Sequence, residues 1–271
     1  MNVRDLVFGA RMLLRRARGK PTNPLYDFDG AEAAPQSPRL PPANSDLARI
    51  FFSHVGRPIH KWVHYLDLYD RHFAPYREAR PTFMEIGVQN GGSMEMWRKY
   101  FGDEAVIFGI DVDPACSNNV SPPNQVRIGS QADPEFLKSV LAEMGTPDIV
   151  LDDGSHIAKH QRESFRVLFP ALKEGGLYVI EDTHTAYWPG PHEGGFRRNG
   201  TAIEFAKRMV DDMHAWYHRH PTLTSAKTEV GGIHFYDSII FIEKRRRTAP
   251  VHTKVSMPSQ SGTSAEGRSK A

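Results

Sequence analysis

From Pro81 onward, short apolar runs alternate with helical runs, and this alternation constrains the chain more than any other feature. TFMEIGV (82–88), AVIFGID (105–111), QVRIG (125–129), PDIVLDD (147–153) and GLYVIED (176–182) read as buried strands. Helical stretches follow at 93–100, 133–144, 158–169 and 201–219, with Asp133-Pro134 as a cap and first turn. The pattern predicts a doubly wound α/β fold, a mostly parallel sheet with helices on both faces. HFYDSIIFIEK (234–244) alternates as one further strand. With 222–230 as its expected partner, it forms an antiparallel edge. Upstream, a helix capped by Ser45 or Asp46 is expected to run to about Val55. A second, over 60–78, carries Trp62, Tyr65, Leu66, Tyr69 and Phe73 as packing surface.

The 271 residues suit one such domain, 45–247, between appendages. Residues 1–44 read as a basic N-terminal segment and a Pro-rich linker, and 248–271 as a disordered tail rich in Ser, Thr, Gly and Lys. Val3, Leu6, Val7, Ala10, Leu13 and Leu14 would share one helix face, docking on the protein or making a weak membrane-surface contact. The net charge of +2 argues against a nucleic-acid partner. Cys116 is the one cysteine, so no intramolecular disulfide forms; a cytoplasmic location is expected. No apolar run reaches the ~20 residues of a membrane span, and the first 20 residues do not read as a signal peptide.

Four strand ends carry chemistry. Strand 82–88 runs into a glycine turn, Gly87 to Gly92, and then a helix, which lets a ligand approach the backbone. The spacing is not G-x-G-x-x-G, which counts against a dinucleotide and an NAD-dependent oxidoreductase. Asp111 closes the next strand, where a carboxylate accepts from ribose hydroxyls; the bland alternative is a loop cap. LDDGSH (151–156) and IEDTH (180–184) bring Asp152, Asp153, Glu181 and Asp182 to neighbouring strand ends. Carboxylates so crowded repel one another, and a hard ion such as Mg²⁺ relieves the repulsion. Otherwise some of them cap helices or bond backbone. His156 is the candidate general base, with His160 and His184 as weaker rivals. Tyr187 and Trp188 would form an aromatic wall or simply pack their loop, and the glycine-rich 189–200 would act as a lid.

At these residues the chain resembles class I S-adenosylmethionine-dependent methyltransferases. It looks most like the metal-dependent macrolide sugar O-methyltransferases, the mycinamicin 2''-O-methyltransferase group. The resemblance rests on EIGVQNGGSMEMW (85–97), GIDVD (109–113), SQADPEFL (130–137), DIVLDDGSHIAKHQRESFRVLFPALKEGGLYVIED (148–182) and TAYWPG (185–190). It implies a Rossmann-like, seven-stranded sheet and O-methylation of a hydroxyl on a sugar or glycosylated metabolite. It implies Mg²⁺ on Asp153, Glu181 and Asp182, with His156 and Asp153 catalytic. Glu85 and Gly87 would lie near the methionine part of the cofactor, Asp111 on its ribose and Gln131 near its adenine. Gly91, Ser93, Ser130 and Asp152 would complete the cofactor site. The family often has Asp where this chain has Ser130. A homo-oligomer is expected. A cephalosporin-hydroxylase-like protein of the same fold, acting on another small molecule or a surface glycan, is the near alternative; a non-catalytic binding module is the remote one.

Overall fold

The computed structural model describes residues 45–255. The segment 1–44, expected to hold a basic helix and a Pro-rich linker, and most of the expected tail lie outside the described residues. Helices α1 (Asp46–Phe52) and α2 (Val63–Phe73) lead into a 3₁₀ turn, Ala74–Ala79. Ser45 caps α1, its hydroxyl accepting from the Ala48 amide. The helix expected over 60–78 tightens at Ala74 because Pro75 has no N–H to donate. Then come β1 (Thr82–Ile86), α3 (Gly92–Phe101), β2 (Val106–Asp111), β3 (Gln125–Ile128), α4 (Pro134–Met144), β4 (Ile149–Asp152), α5 (Ala158–Ala171) and β5 (Leu177–Ile180). Helices α6 (Ala202–Met213) and α7 (Ala226–Glu229) precede β6 (Val230–Tyr236) and β7 (Ile239–Lys244).

The seven strands form one sheet in the order β3-β2-β1-β4-β5-β7-β6. β1 to β5 are parallel, and β7 and β6 run antiparallel to their neighbours, as the sequence predicted in outline. The edge differs in detail. The run 234–244 is not one strand: it turns at Asp237-Ser238, and Ser238 takes φ +65°. Each half pairs with the other, and the expected partner 222–230 becomes α7 and the start of β6. The long helix expected to reach Arg219 stops at Met213. There the buried Asp212 carboxylate accepts from the amides of Leu223 and Thr224, folding the chain back.

Side chains alternate across the sheet and build two cores. Phe83, Ile107, Leu151, Val179 and Phe241 pack under α1, α2 and α3, around Tyr65, Tyr69 and Trp97. Met84, Ile86, Ile110, Val150, Tyr178 and Ile240 pack under α4, α5 and α6. Each such large apolar side chain, fully buried, stabilises by roughly 1.5–3 kcal/mol. The same alternation sorts the acids. Glu85 falls on the first face, against Ser93 and Trp97 of α3; Asp152 falls on the second, against Ser164 of α5. Chain order reverses between β1 and β4, so the crevice for a ligand opens at their carboxyl ends.

Candidate active site

That crevice is a cavity of about 400 Å³. Its walls come from the β1, β2, β4 and β5 ends, the 129–131 turn and the segment 58–62. Gly87, with φ +92°, brings the β1 turn onto the next strand's loop. A Cβ there would lie 2.2 Å from the Asp153 carbonyl oxygen. Gly91, with φ +80°, starts α3 and packs on the Asn119 carbonyl.

Asp111 ties the turn to β2. Its Oδ2 accepts from the amides of Val88 (2.8 Å) and Gln89 (3.0 Å), and its Oδ1 from Asp113 (2.9 Å). Burial alone would raise its pKa, but these amides hold the carboxyl below its usual range. Asp111, Gly87, Ser93, Ser130 and Gln131 line the cavity, while Glu85, Gly91 and Asp152 do not. Glu85 is fully buried beneath the cavity. It accepts from Ser93 Oγ (2.6 Å) and Trp97 Nε1 (3.2 Å), and burial raises its pKa against Lys61 and Ser93. Gln131 braces the floor: its Nε2 donates to Asp152, and its Oε1 accepts from the Ser155 amide at 2.7 Å.

Of the four acids expected to converge at the β4 and β5 ends, Asp153 and Asp182 come together, whereas Asp152 turns to Ser164 on the other face of the sheet. One oxygen each of Asp153 and Asp182 and one nitrogen of His156 lie within 4.8 Å of one another. His156 Nε2 is 3.7 Å from Asp153 Oδ1 and 3.7 Å from Asp182 Oδ2. His156 Nδ1 is buried without a partner among the described residues. The two carboxylates fit a divalent cation, and His156 Nε2, which faces both, fits a proton acceptor beside it. The Tyr65 hydroxyl fixes Asp182, reaching its Oδ1 at 3.0 Å. Glu181 lies beside this group but is engaged elsewhere, through Lys61.

Lys61 is the residue that sequence reasoning missed. Its Nζ lies 2.5 Å from Asp153 Oδ2, 2.8 Å from Glu181 Oε1 and 3.5 Å from Glu85 Oε1, with the side chain 3% exposed. Burial would lower its pKa, yet Asp153, Glu181 and Glu85 together push it well above the lysine range. Burial and Asp153 push Glu181 up, and Lys61 pulls against them. Nothing in the spacing of HKWVHY links residue 61 to residues 153 and 181.

Of the rival histidines, His160 lines the cavity and bonds Ser155 Oγ through Nδ1 (2.9 Å). His184 bonds Ser238 Oγ, and burial lowers its pKa. Tyr187 is exposed, and Trp188 packs between His184 and His192, so neither lines the cavity. The aromatic residue in the wall is Trp62. The loop 189–200 is pinned by backbone bonds from Ala158 to His192 and from Gly194 to Trp188. Among the described residues no helix is long and apolar enough to cross a membrane.

No family model matches the chain. Among curated proteins it is 38% identical over 200 residues to the 8-demethyl-8-alpha-L-rhamnosyl tetracenomycin-C 2'-O-methyltransferase of Streptomyces olivaceus, covering 68% of this chain and 52% of that protein. It is 38% identical over 198 residues to the mycinamicin VI 2''-O-methyltransferase of Micromonospora griseorubida, covering 66% and 47%. The chain thus spans about half the length of the curated relatives it matches. Among solved structures, the MycE methyltransferase from the mycinamycin biosynthetic pathway, in complex with Mg, SAH and mycinamycin VI, is 36% identical. It superimposes with a TM-score of 0.65, covering 76% of this chain and 54% of MycE. The chain therefore carries the class I methyltransferase fold, in a form that resembles the antibiotic-sugar O-methyltransferases in both sequence and structure.

Proposed function

We propose that this domain is an S-adenosylmethionine-dependent, Mg²⁺-dependent O-methyltransferase acting on a hydroxyl of a sugar or glycosylated small molecule. The observation that carries the reading is the Asp153–His156–Asp182 group beside a cavity whose far wall holds Asp111. Its relatives by sequence methylate such acceptors, as their names state, and MycE was solved with Mg and SAH.

Bound here, S-adenosylmethionine supplies an electrophilic methyl, and Mg²⁺ supplies positive charge that makes a nearby hydroxyl more acidic. Asp153 and Asp182, with Glu181 beside them, are the residues that would hold the ion. Asp111 accepts from ribose hydroxyls through the lone pairs its three amide donors leave free. The glycine turn lets the cofactor approach the backbone. His156 Nε2 takes the proton of the acceptor hydroxyl; both neighbouring carboxylates face the imidazolium so formed. Trp62 offers an apolar face to the acceptor ring. Holding the two reactants in line supplies much of the rate.

The test is methyl transfer from labelled cofactor to a glycosylated macrolide or free deoxysugar acceptor. EDTA should stop the reaction and Mg²⁺ restore it, and His156→Ala should lower kcat about 10²-fold or more. Full activity in EDTA, or in His156→Ala, would refute the mechanism.

A further inference from the structure

The reaction described above leaves Lys61 without a task, although it sits at the centre of the acidic cleft. Its ammonium touches Asp153 and Glu181 at hydrogen-bond distance and approaches Glu85. These carboxylates come from three adjacent strand ends, and two of them belong to the acidic pairs at the β4 and β5 tips. We propose that the Lys61 ammonium is a tethered placeholder for the divalent cation, seated on Asp153 and Glu181 in the metal-free protein and displaced when Mg²⁺ binds. The inference rests on the reading of this cleft as a metal seat.

Three observations support it. The first is charge. Glu85 and Glu181 are buried and Asp153 is partly exposed, and the three carboxylates crowd round one point, where without a cation they repel. One ammonium balances one of the three; a divalent ion balances two. The second is the shared ligand. Asp153 presents Oδ2 to Lys61 and Oδ1 to His156, so an ion on Asp153 would stand a few ångströms from Nζ. Two cations at that spacing in a buried cleft oppose each other, and the tethered one can leave. The third is the tether. Lys61 belongs to the irregular segment between α1 and α2, and Pro58, Ile59, His60, Lys61 and Trp62 all line the cavity. The ammonium therefore has an exit into the open cavity that needs no helix to unwind.

The full chain is titrated with Mn²⁺, free ion being read by electron paramagnetic resonance, in wild type, Lys61→Met and Lys61→Arg. Lys61→Met removes the competitor and should bind Mn²⁺ about tenfold more tightly or better, in the usual range of site-to-site coupling. By the same linkage, Mg²⁺ should raise the melting temperature of Lys61→Met more than that of wild type. Lys61→Arg keeps a cation and should bind no more tightly than wild type. Should Lys61→Met not fold, amine labelling of wild type followed by mass spectrometry decides. The Lys61 amine should be protected without metal and become reactive when Mn²⁺ is added. Equal or weaker Mn²⁺ binding in Lys61→Met, or Lys61 protection that metal leaves unchanged, overturns the exchange and makes Lys61 a permanent brace. Failure of both proteins to bind Mn²⁺ overturns the metal seat as well.

Discussion

Replacing Asp152 by asparagine tests whether this residue acts on the cofactor directly or through the floor beneath it. Asp152 is fully buried, and each of its partners is a donor: Gln131 Nε2 at 3.0 and 3.2 Å, Ser164 Oγ at 2.7 Å, Tyr178 Oη at 3.1 Å and the Gly154 amide at 3.4 Å. Asparagine keeps one acceptor oxygen and places an NH₂ among those donors. The hydroxyls of Ser164 and Tyr178 can turn to accept. Gln131 cannot flip, because its Oε1 already accepts from the Ser155 amide. A buried donor left unpaired costs about 1–3 kcal/mol, and losing charge-assisted bonds adds about 1 kcal/mol. Burial raises the Asp152 pKa, so the neutral amide recovers some desolvation energy. The expected loss of stability is about 2–3 kcal/mol, read as a lower urea midpoint at unchanged slope. Gln131 holds the residue next to His156, so kcat should fall while S-adenosylhomocysteine affinity changes little. A midpoint within about 0.5 kcal/mol of wild type, or a loss confined to cofactor affinity, would refute this account.

Other substitutions probe the remaining walls. Gly87→Ala should lose about 2–4 kcal/mol in thermal or urea unfolding, since its Cβ would meet the Asp153 carbonyl at 2.2 Å from a φ of +92°. Asp111→Ala should weaken S-adenosylhomocysteine binding about tenfold or more by calorimetry; unchanged affinity would remove the ribose assignment. His72, stacked on Phe241 at 4.1 Å and facing His234, Glu243 and Arg71, has its pKa lowered to about 4, mainly by burial. The unfolded chain therefore takes up the proton first as pH falls. Stability from this group is lost between about pH 6.5 and pH 4. His72→Phe should flatten that part of the stability–pH curve, and an unchanged slope would show that another group carries it.

The fold was largely legible because period and punctuation agreed. Buried runs such as 82–88 and 176–182 are short, and helices follow β1, β3 and β4 directly, the one after β3 capped by Asp133. Where the reading failed, a local signal was weak or a tertiary contact decided. Asp237-Ser238 carries no glycine, so 234–244 reads as unbroken alternation, and the hairpin shows only in the left-handed Ser238. Asp212 ends α6 through a contact with residues 223 and 224, which no helix-stop rule anticipates. The carboxylates were legible because strand ends announce themselves. Their sorting follows from parity along each strand: Asp152 turns to Ser164 under the sheet, while its neighbour Asp153 faces Lys61. Lys61 was illegible because its partners lie 92 and 120 residues away and its own segment is irregular.

The backbone adds a separate argument for where the chemistry lies. His156 and Asp182 both sit at left-handed φ, +54° and +51°, without being glycine. Each such placement costs of order 1 kcal/mol. Glycine would remove that strain but leave no imidazole and no carboxylate in the cleft. The two positions come from different loops, after β4 and after β5, yet their side chains meet at 3.7 Å. Arg80, Gln89, Glu193, Arg197 and Ser238 take left-handed φ as well, so what sets His156 and Asp182 apart is that two such residues meet in one contact. That meeting follows if the contact itself is what the two loops are bent to make.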